Sequence, residues 1–86
     1  MVKVKLYVSP QCPRCEVLKK VLNEMGVEYE VVDVSHSDVM ADLIMRDVFL
    51  METPGLEIDG KFFYASDLFS GDKLLLDNLR KIIEGL

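Results

Sequence analysis

The sequence predicts an α/β fold built in the order β-α-β-α-β-β-α, with one mixed four-stranded sheet flanked by helices. Three observations carry that expectation. Residues 2–34 pass from apolar alternation with a period of two, to apolar residues at helical spacing, and back to a β-rich run, which is the signature of strand, helix and strand. Asp59-Gly60 lies between two β-forming stretches, a strong signal for a two-residue hairpin. The final stretch places leucine and isoleucine at helical spacing. A strand-helix-strand unit joins parallel strands by a right-handed crossover, and a hairpin joins antiparallel ones, so the sheet is mixed.

Val2, Val4, Leu6 and Val8 alternate with Lys3, Lys5, Tyr7 and Ser9, giving a first strand with one strongly apolar face. Cys12 follows as the N-cap of a helix with Pro13 at its first position, where the missing proline N–H has no partner to lose. Val17, Leu18, Val21, Leu22 and Met25 continue at helical spacing, and Gly26 ends the helix. Val27 to Val34, rich in valine and tyrosine, is the second strand. Ser35 with Asp38 has the spacing of a capping box, and Met40, Leu43, Ile44 and Val48 carry a second helix onward from it. Phe49 to Glu52 leads out of that helix, its apolar residues expected to pack beneath the turn that holds the cysteines.

Pro54 marks the start of a third strand, Leu56 to Ile58, because proline is tolerated at strand starts and not inside them. Lys61 to Tyr64 is its hairpin partner. Ser66 to Phe69 forms a short helical or turn segment, Ser70-Gly71 interrupts it, and Leu75, Leu76, Leu79, Ile82, Ile83 and Leu86 line a last helix.

With 86 residues, half of them hydrophobic, the chain is sized for a single domain, 1–86, with a core that needs no disulfide framework. The alternating start, Met1 to Lys5, resembles neither a signal peptide nor a membrane span, so a soluble, cytoplasmic protein is expected. A net charge of −5 argues against nucleic acid, which rewards a basic surface.

The chemistry concentrates in Cys12 and Cys15, the only two cysteines. An N-cap side chain accepts from backbone N–H groups two or three positions on, and a Cys12 thiolate fits that role. The helix dipole favours the same negative charge, with Arg14 adding a positive charge nearby. One unit of pKa depression corresponds to about 1.4 kcal/mol, whereas the dipole supplies about 0.3 to 1 kcal/mol, so a large shift requires direct N–H bonds too. A structural zinc site needs four ligands, and only His36, more simply a solvated residue at a helix start, stands beside the two cysteines, so no metal is assigned. Met40, Met45 and Met51 are expected as core filler.

Cys12-Pro13-Arg14-Cys15 after the first strand, Thr53-Pro54 before the third, the Asp59-Gly60 hairpin and Ser66-Asp67-Leu68 together resemble a glutaredoxin or a small thioredoxin-like redoxin. The resemblance implies a thioredoxin-like fold and a dithiol-disulfide oxidoreductase, in which Cys12 attacks a substrate disulfide and Cys15 resolves the mixed disulfide. It implies a cis Thr53-Pro54 bond, Thr53 and Pro54 as the wall opposite the cysteines, and Arg14 and Asp67 as further substrate contacts. It implies protein disulfides as substrates, glutathione or a reductase as electron donor, no tightly bound cofactor, and a monomer.

Two departures bear on the donor. Tyr64-Ala65-Ser66 stands where glutaredoxins carry a Gly-Gly pair before the Asp-Leu that holds glutathione, while Phe69-Ser70-Gly71 resembles the Trp-Ser-Gly of redoxins served by thioredoxin reductase. Thioredoxin's buried aspartate has no counterpart in the first strand. An alternative stays open: a binding module, either carrying an iron–sulfur cluster on Cys12 in a dimer or acting as a redox-silent adaptor.

Overall fold

The structure is a computed structural model and describes residues 3–85. Strand β1 spans Val4–Val8, helix α1 Pro13–Glu24, β2 Glu30–Asp33, α2 Ser37–Met45, β3 Gly55–Ile58 and β4 Lys61–Phe63. A one-turn helix α3, Ala65–Leu68, leads into two short strands, β5 Phe69–Ser70 and β6 Lys73–Leu74, and helix α4, Leu76–Glu84, closes the chain. The main sheet has the order β2-β1-β3-β4, with β2 parallel to β1 and the other neighbours antiparallel. The expected thioredoxin-like, mixed four-stranded sheet is therefore present. Val2 and Leu86, assigned from sequence to the first strand and last helix, lie outside the described residues.

The period of two in β1 sends alternate residues to two different cores. Val4, Leu6 and Val8 pack with Cys15, Leu18 and Leu22 of α1, Leu56 and Ile58 of β3, and Leu79 of α4. Tyr7 points the other way, into a smaller core with Leu43, Val48 and Leu50. The expectation of one apolar face is thus incomplete: β1 is central, and α2 covers its second face at Tyr7.

Both long N-terminal helices end in the same way. In α1, Gly26 takes φ +72° and the Val27 N–H reaches back to the Leu22 carbonyl at 3.0 Å. In α2, Asp47 takes φ +60° and the Val48 N–H bonds the Leu43 carbonyl at 2.8 Å. This reversal joins the residue after the left-handed position to the last helical turn by a hydrogen bond and an apolar contact. It corrects the reading of Val48 as helical: Val48 falls at helical spacing because it folds back onto Leu43.

Three further expectations are corrected. Helix α2 begins after His36 and not at Ser35, because the Ser35 N–H is drawn to Asp33 Oδ1 at 2.8 Å in a local turn. That bond holds the Asp33 carboxyl below the usual range. In the Phe49–Glu52 connection only Leu50 is buried, and Phe49 and Met51 face outward. Met45 and Met51, expected as core filler, are 86% and 89% exposed. The β5–β6 hairpin was not foreseen, since two-residue strands are too short to show a period.

Across the α2 face, Tyr7 Oη donates to Glu57 Oε1 at 2.7 Å, and Arg46 Nη2 meets the same oxygen at 2.9 Å. The network ties the end of α2 to β1 and β3.

Candidate active site

The end of β1 delivers the chain through Ser9, Pro10 and Gln11 to Cys12 at the start of α1. Cys12 is the N-cap, with extended backbone, and Pro13 follows at the first helical position. Its Sγ accepts from the Cys15 N–H at 3.1 Å. The sequence expectation of an N-capping sulfur is met on Cys15 alone of the two N–H groups anticipated. Cys12 is half-buried and lines an open cleft with Ser9, Pro10, Gln11, Pro13 and Glu16, whereas Cys15 is 1% exposed within the main core. The two sulfurs are joined in a disulfide, with the α-carbons 5.2 Å apart.

The opposite wall comes from the chain entering β3. The Thr53-Pro54 bond is cis, and Pro54 is fully buried. Thr53 reaches the cysteines directly, its hydroxyl donating to Cys12 Sγ at 3.4 Å. Behind it, Ser9 Oγ lies 2.6 Å from Thr53 Oγ1.

Arg14 extends over this wall. Its Nη2 donates to the Thr53 carbonyl at 2.9 Å, its Nη1 to the Gly71 carbonyl at 3.5 Å, and its guanidinium lies 5.7 Å from the centre of the Phe69 ring. One side chain thus connects the start of α1, the cis-proline segment and the β5–β6 hairpin. Gly71 takes φ +61°, so the hairpin turns there in a backbone conformation glycine adopts without strain.

The structure brings Cys12, Cys15, Arg14, Thr53 and Pro54 together. Asp67 has a different set of contacts: its Oδ2 accepts from the Tyr64 N–H at 3.0 Å, capping α3, and it lines a cleft with Phe62, Phe63, Asn78, Lys81 and Ile82. Sequence reasoning missed Ser9 as a member of the site, and it singled out Phe69-Ser70-Gly71 by resemblance without placing Phe69 and Gly71 against Arg14. A serine ending an apolar strand just before the C-x-x-C turn is the one local sign of Ser9's membership.

Among the described residues, no three His, Cys, Asp or Glu side chains are grouped so as to hold a metal ion. No helix of the described residues is long and apolar enough to cross a membrane.

Comparison with known proteins agrees with this fold. Residues 4–63 match the family model for glutaredoxin, a span that includes both cysteines and Thr53-Pro54 and ends before Asp67. A probable thioredoxin of Methanothermobacter marburgensis is 34% identical over 62 residues, which cover 70% of this chain and 73% of the relative. Among solved structures, the thioredoxin-like protein BC3987 superposes with a TM-score of 0.70 at 25% identity, covering 93% of this chain and 99% of the other. Glutaredoxin 1 from Francisella tularensis, crystallised with cacodylate, superposes with a TM-score of 0.65 at 19% identity over 98% of this chain and 99% of that one, a likeness of fold. With a thioredoxin-like fold and a disulfide-capable Cys12–Cys15 pair at the start of α1, the chain belongs to the glutaredoxin family of redox proteins.

Proposed function

We propose that the protein is a dithiol-disulfide oxidoreductase that reduces disulfides in other proteins. The observation that carries this reading is the asymmetry of the pair. Cys12 is open to a cleft and receives the Cys15 N–H, while Cys15 is enclosed by the core.

In the reduced protein the Cys12 thiolate attacks one sulfur of a substrate disulfide, and the second substrate sulfur departs as a thiolate that takes up a proton. The Cys15 thiol then loses its proton and attacks Cys12 Sγ. The substrate leaves with its second thiol, and two electrons have passed to it from the cysteine pair, now a disulfide. A capping N–H and the start of α1 favour the charged form of Cys12, the form that attacks. Thr53 and Pro54 supply a wall along which an extended substrate segment lies. Arg14, bonded to Thr53, fixes that wall.

We further propose that the chain works as a monomer in a reducing cytoplasm, without a tightly bound cofactor, and is recycled by a thioredoxin-reductase-type flavoprotein or by glutathione. Asp67 is the residue proposed to meet the glutathione end in the second case.

The test is a pair of variants assayed on a generic protein disulfide. Cys12→Ser abolishes reduction, and Cys15→Ser accumulates a mixed disulfide detectable by mass. Full activity in Cys12→Ser overturns the assignment. Supplying oxidised protein with glutathione and its reductase, or with thioredoxin reductase, identifies the donor by which mixture restores free thiols.

A further inference from the structure

One hydroxyl meets the Cys12 sulfur from the opposite wall, and a second hydroxyl stands behind the first. Ser9, at the end of β1, and Thr53, before Pro54, have oxygens 2.6 Å apart, and the Thr53 hydroxyl donates to Cys12 Sγ at 3.4 Å. Each hydroxyl has one proton. With the Thr53 proton directed at sulfur, the Ser9 bond runs from the serine O–H to Thr53 Oγ1. Cys12 Sγ therefore receives two donors, the Cys15 N–H from the helix side at 3.1 Å and the Thr53 O–H from the opposite wall.

We infer that Thr53 is a catalytic hydroxyl that stabilises the Cys12 thiolate directly, and that Ser9 is a positioning residue that orients and polarises it. Sulfur in a thiol or a disulfide is a weak acceptor, whereas a thiolate carries full charge and makes the stronger, charge-assisted bond. The Thr53 bond therefore favours the thiolate over both other states. A donor that is itself an acceptor from Ser9 is polarised in the helpful direction. No proton is transferred along the pair. The Cys12 proton leaves to water, and both hydroxyl protons stay on their oxygens.

This device is independent of carboxylates and suits a chain with no acidic residue in β1. Glu16 lines the cleft of Cys12, and Glu52 lines the one shared by Ser9, Arg14 and Thr53, so both oppose a second negative charge there. Arg14 supports it, with its guanidinium engaged on the Thr53 carbonyl. Buried Cys15 is the other thiol of the site. Removing a hydroxyl leaves all of these charges in place.

The inference rests on Cys12 being the attacking sulfur, and the experiment separates the two. In a Cys15→Ser background Cys12 is the only thiol, and its titration is followed by thiolate absorbance and by the pH dependence of alkylation. Thr53→Val raises the Cys12 midpoint by about one unit, about tenfold less thiolate at a pH below it, and Thr53→Ser returns the midpoint to its original value. Ser9→Ala shifts it in the same direction by roughly half as much, and adds nothing once Thr53 is valine. Lost packing alone lowers the melting temperature of these variants and leaves the midpoint where it was. A folded Thr53→Val protein with an unmoved midpoint overturns the inference. If Thr53→Val does not fold, an unmoved midpoint in Ser9→Ala overturns it instead. A wild-type protein that reduces no disulfide removes the proposed function while the titration stays readable.

Discussion

Arg14 Nη2 donates to the Thr53 carbonyl oxygen at 2.9 Å, joining the first turn of the cysteine helix to the cis-proline wall across 39 positions of sequence. The same guanidinium rests over the buried Phe69 ring. Charge-assisted hydrogen bonds contribute about 1.5 to 3 kcal/mol, and a partly exposed cation over an aromatic ring about 0.5 to 1 kcal/mol. Arg14 is half-buried, so the lower part of that range applies.

Arg14→Ala is therefore expected to lower the stability of the reduced protein by about 1 to 2 kcal/mol, read as a lower urea midpoint with an unchanged slope. Arg14→Lys keeps a charge but loses the planar fork that reaches two carbonyls, and recovers only part of the loss. A midpoint unchanged in Arg14→Ala would show that the clamp contributes nothing to stability.

Glu57 contributes to the stability that is lost in acid. Its side chain is only 12% exposed, and that burial pushes its carboxyl up. The Tyr7 hydroxyl and the Arg46 guanidinium push it down more strongly, leaving it below the usual carboxylate value. A carboxyl with a lowered folded-state pKa binds more protons when unfolded. Its stabilisation is complete above the unfolded value of about 4.3 and disappears as pH falls through the folded value. Glu57→Gln is thus expected to be less stable at pH 7 and to lose less on acidification below about pH 4.3. Parallel stability curves for the two proteins between pH 5 and 3 would sink this account.

Tyr7, the other end of that bond, contributes on the alkaline side. Burial first, and then the Glu57 bond, raise its hydroxyl from 10.0 to about 12. The folded state holds the proton longer, so the contribution is complete below pH 10 and fades as pH rises toward 12. Tyr7→Phe should flatten the alkaline limb of the stability curve while leaving neutral activity measurable. A limb as steep as the wild type's would exclude Tyr7 as its source.

What was legible in the sequence were features written in neighbouring residues. The change of period around Cys12, the Asp59-Gly60 turn and the placement of Pro54 are local, and each reappears in β1–α1, the β3–β4 hairpin and the cis-proline wall. The relationships that complete the site are not local. Ser9 and Arg14 each meet Thr53 through the sheet order, which places the end of β1 beside the start of β3. Tyr7 reads as a polar-face residue until α2 is known to cover that face. Phe69 and Gly71 join the site through a hairpin with strands too short to announce themselves.

Gly55 shows how tightly the second face is packed. It pairs with Tyr7 in the sheet, and a Cβ placed on it would lie 2.7 Å from Phe62 Cζ and 3.1 Å from Leu50 Cδ1. Gly55→Ala should cost about 1 to 3 kcal/mol by overpacking. Phe62→Leu in the same chain should recover part of that loss. Additive losses in the double variant would show that the Phe62 ring is not what the methyl group meets.

Asp67 tests whether a residue assigned by resemblance serves a ligand or the fold. Its carboxylate accepts from the Tyr64 N–H at 3.0 Å and caps α3, which leads directly into Phe69 and the hairpin under Arg14. Loss of such a cap costs about 0.5 to 2 kcal/mol. Asp67→Ala should therefore be less stable by about 1 kcal/mol, and Asp67→Asn, which keeps an accepting oxygen, by less. Measuring KM for glutathione in the same two variants separates the roles. A cap alone lowers the melting temperature and leaves KM unchanged. A ligand contact would raise KM in both variants, because asparagine retains the cap but lacks the negative charge that would attract a ligand's ammonium group.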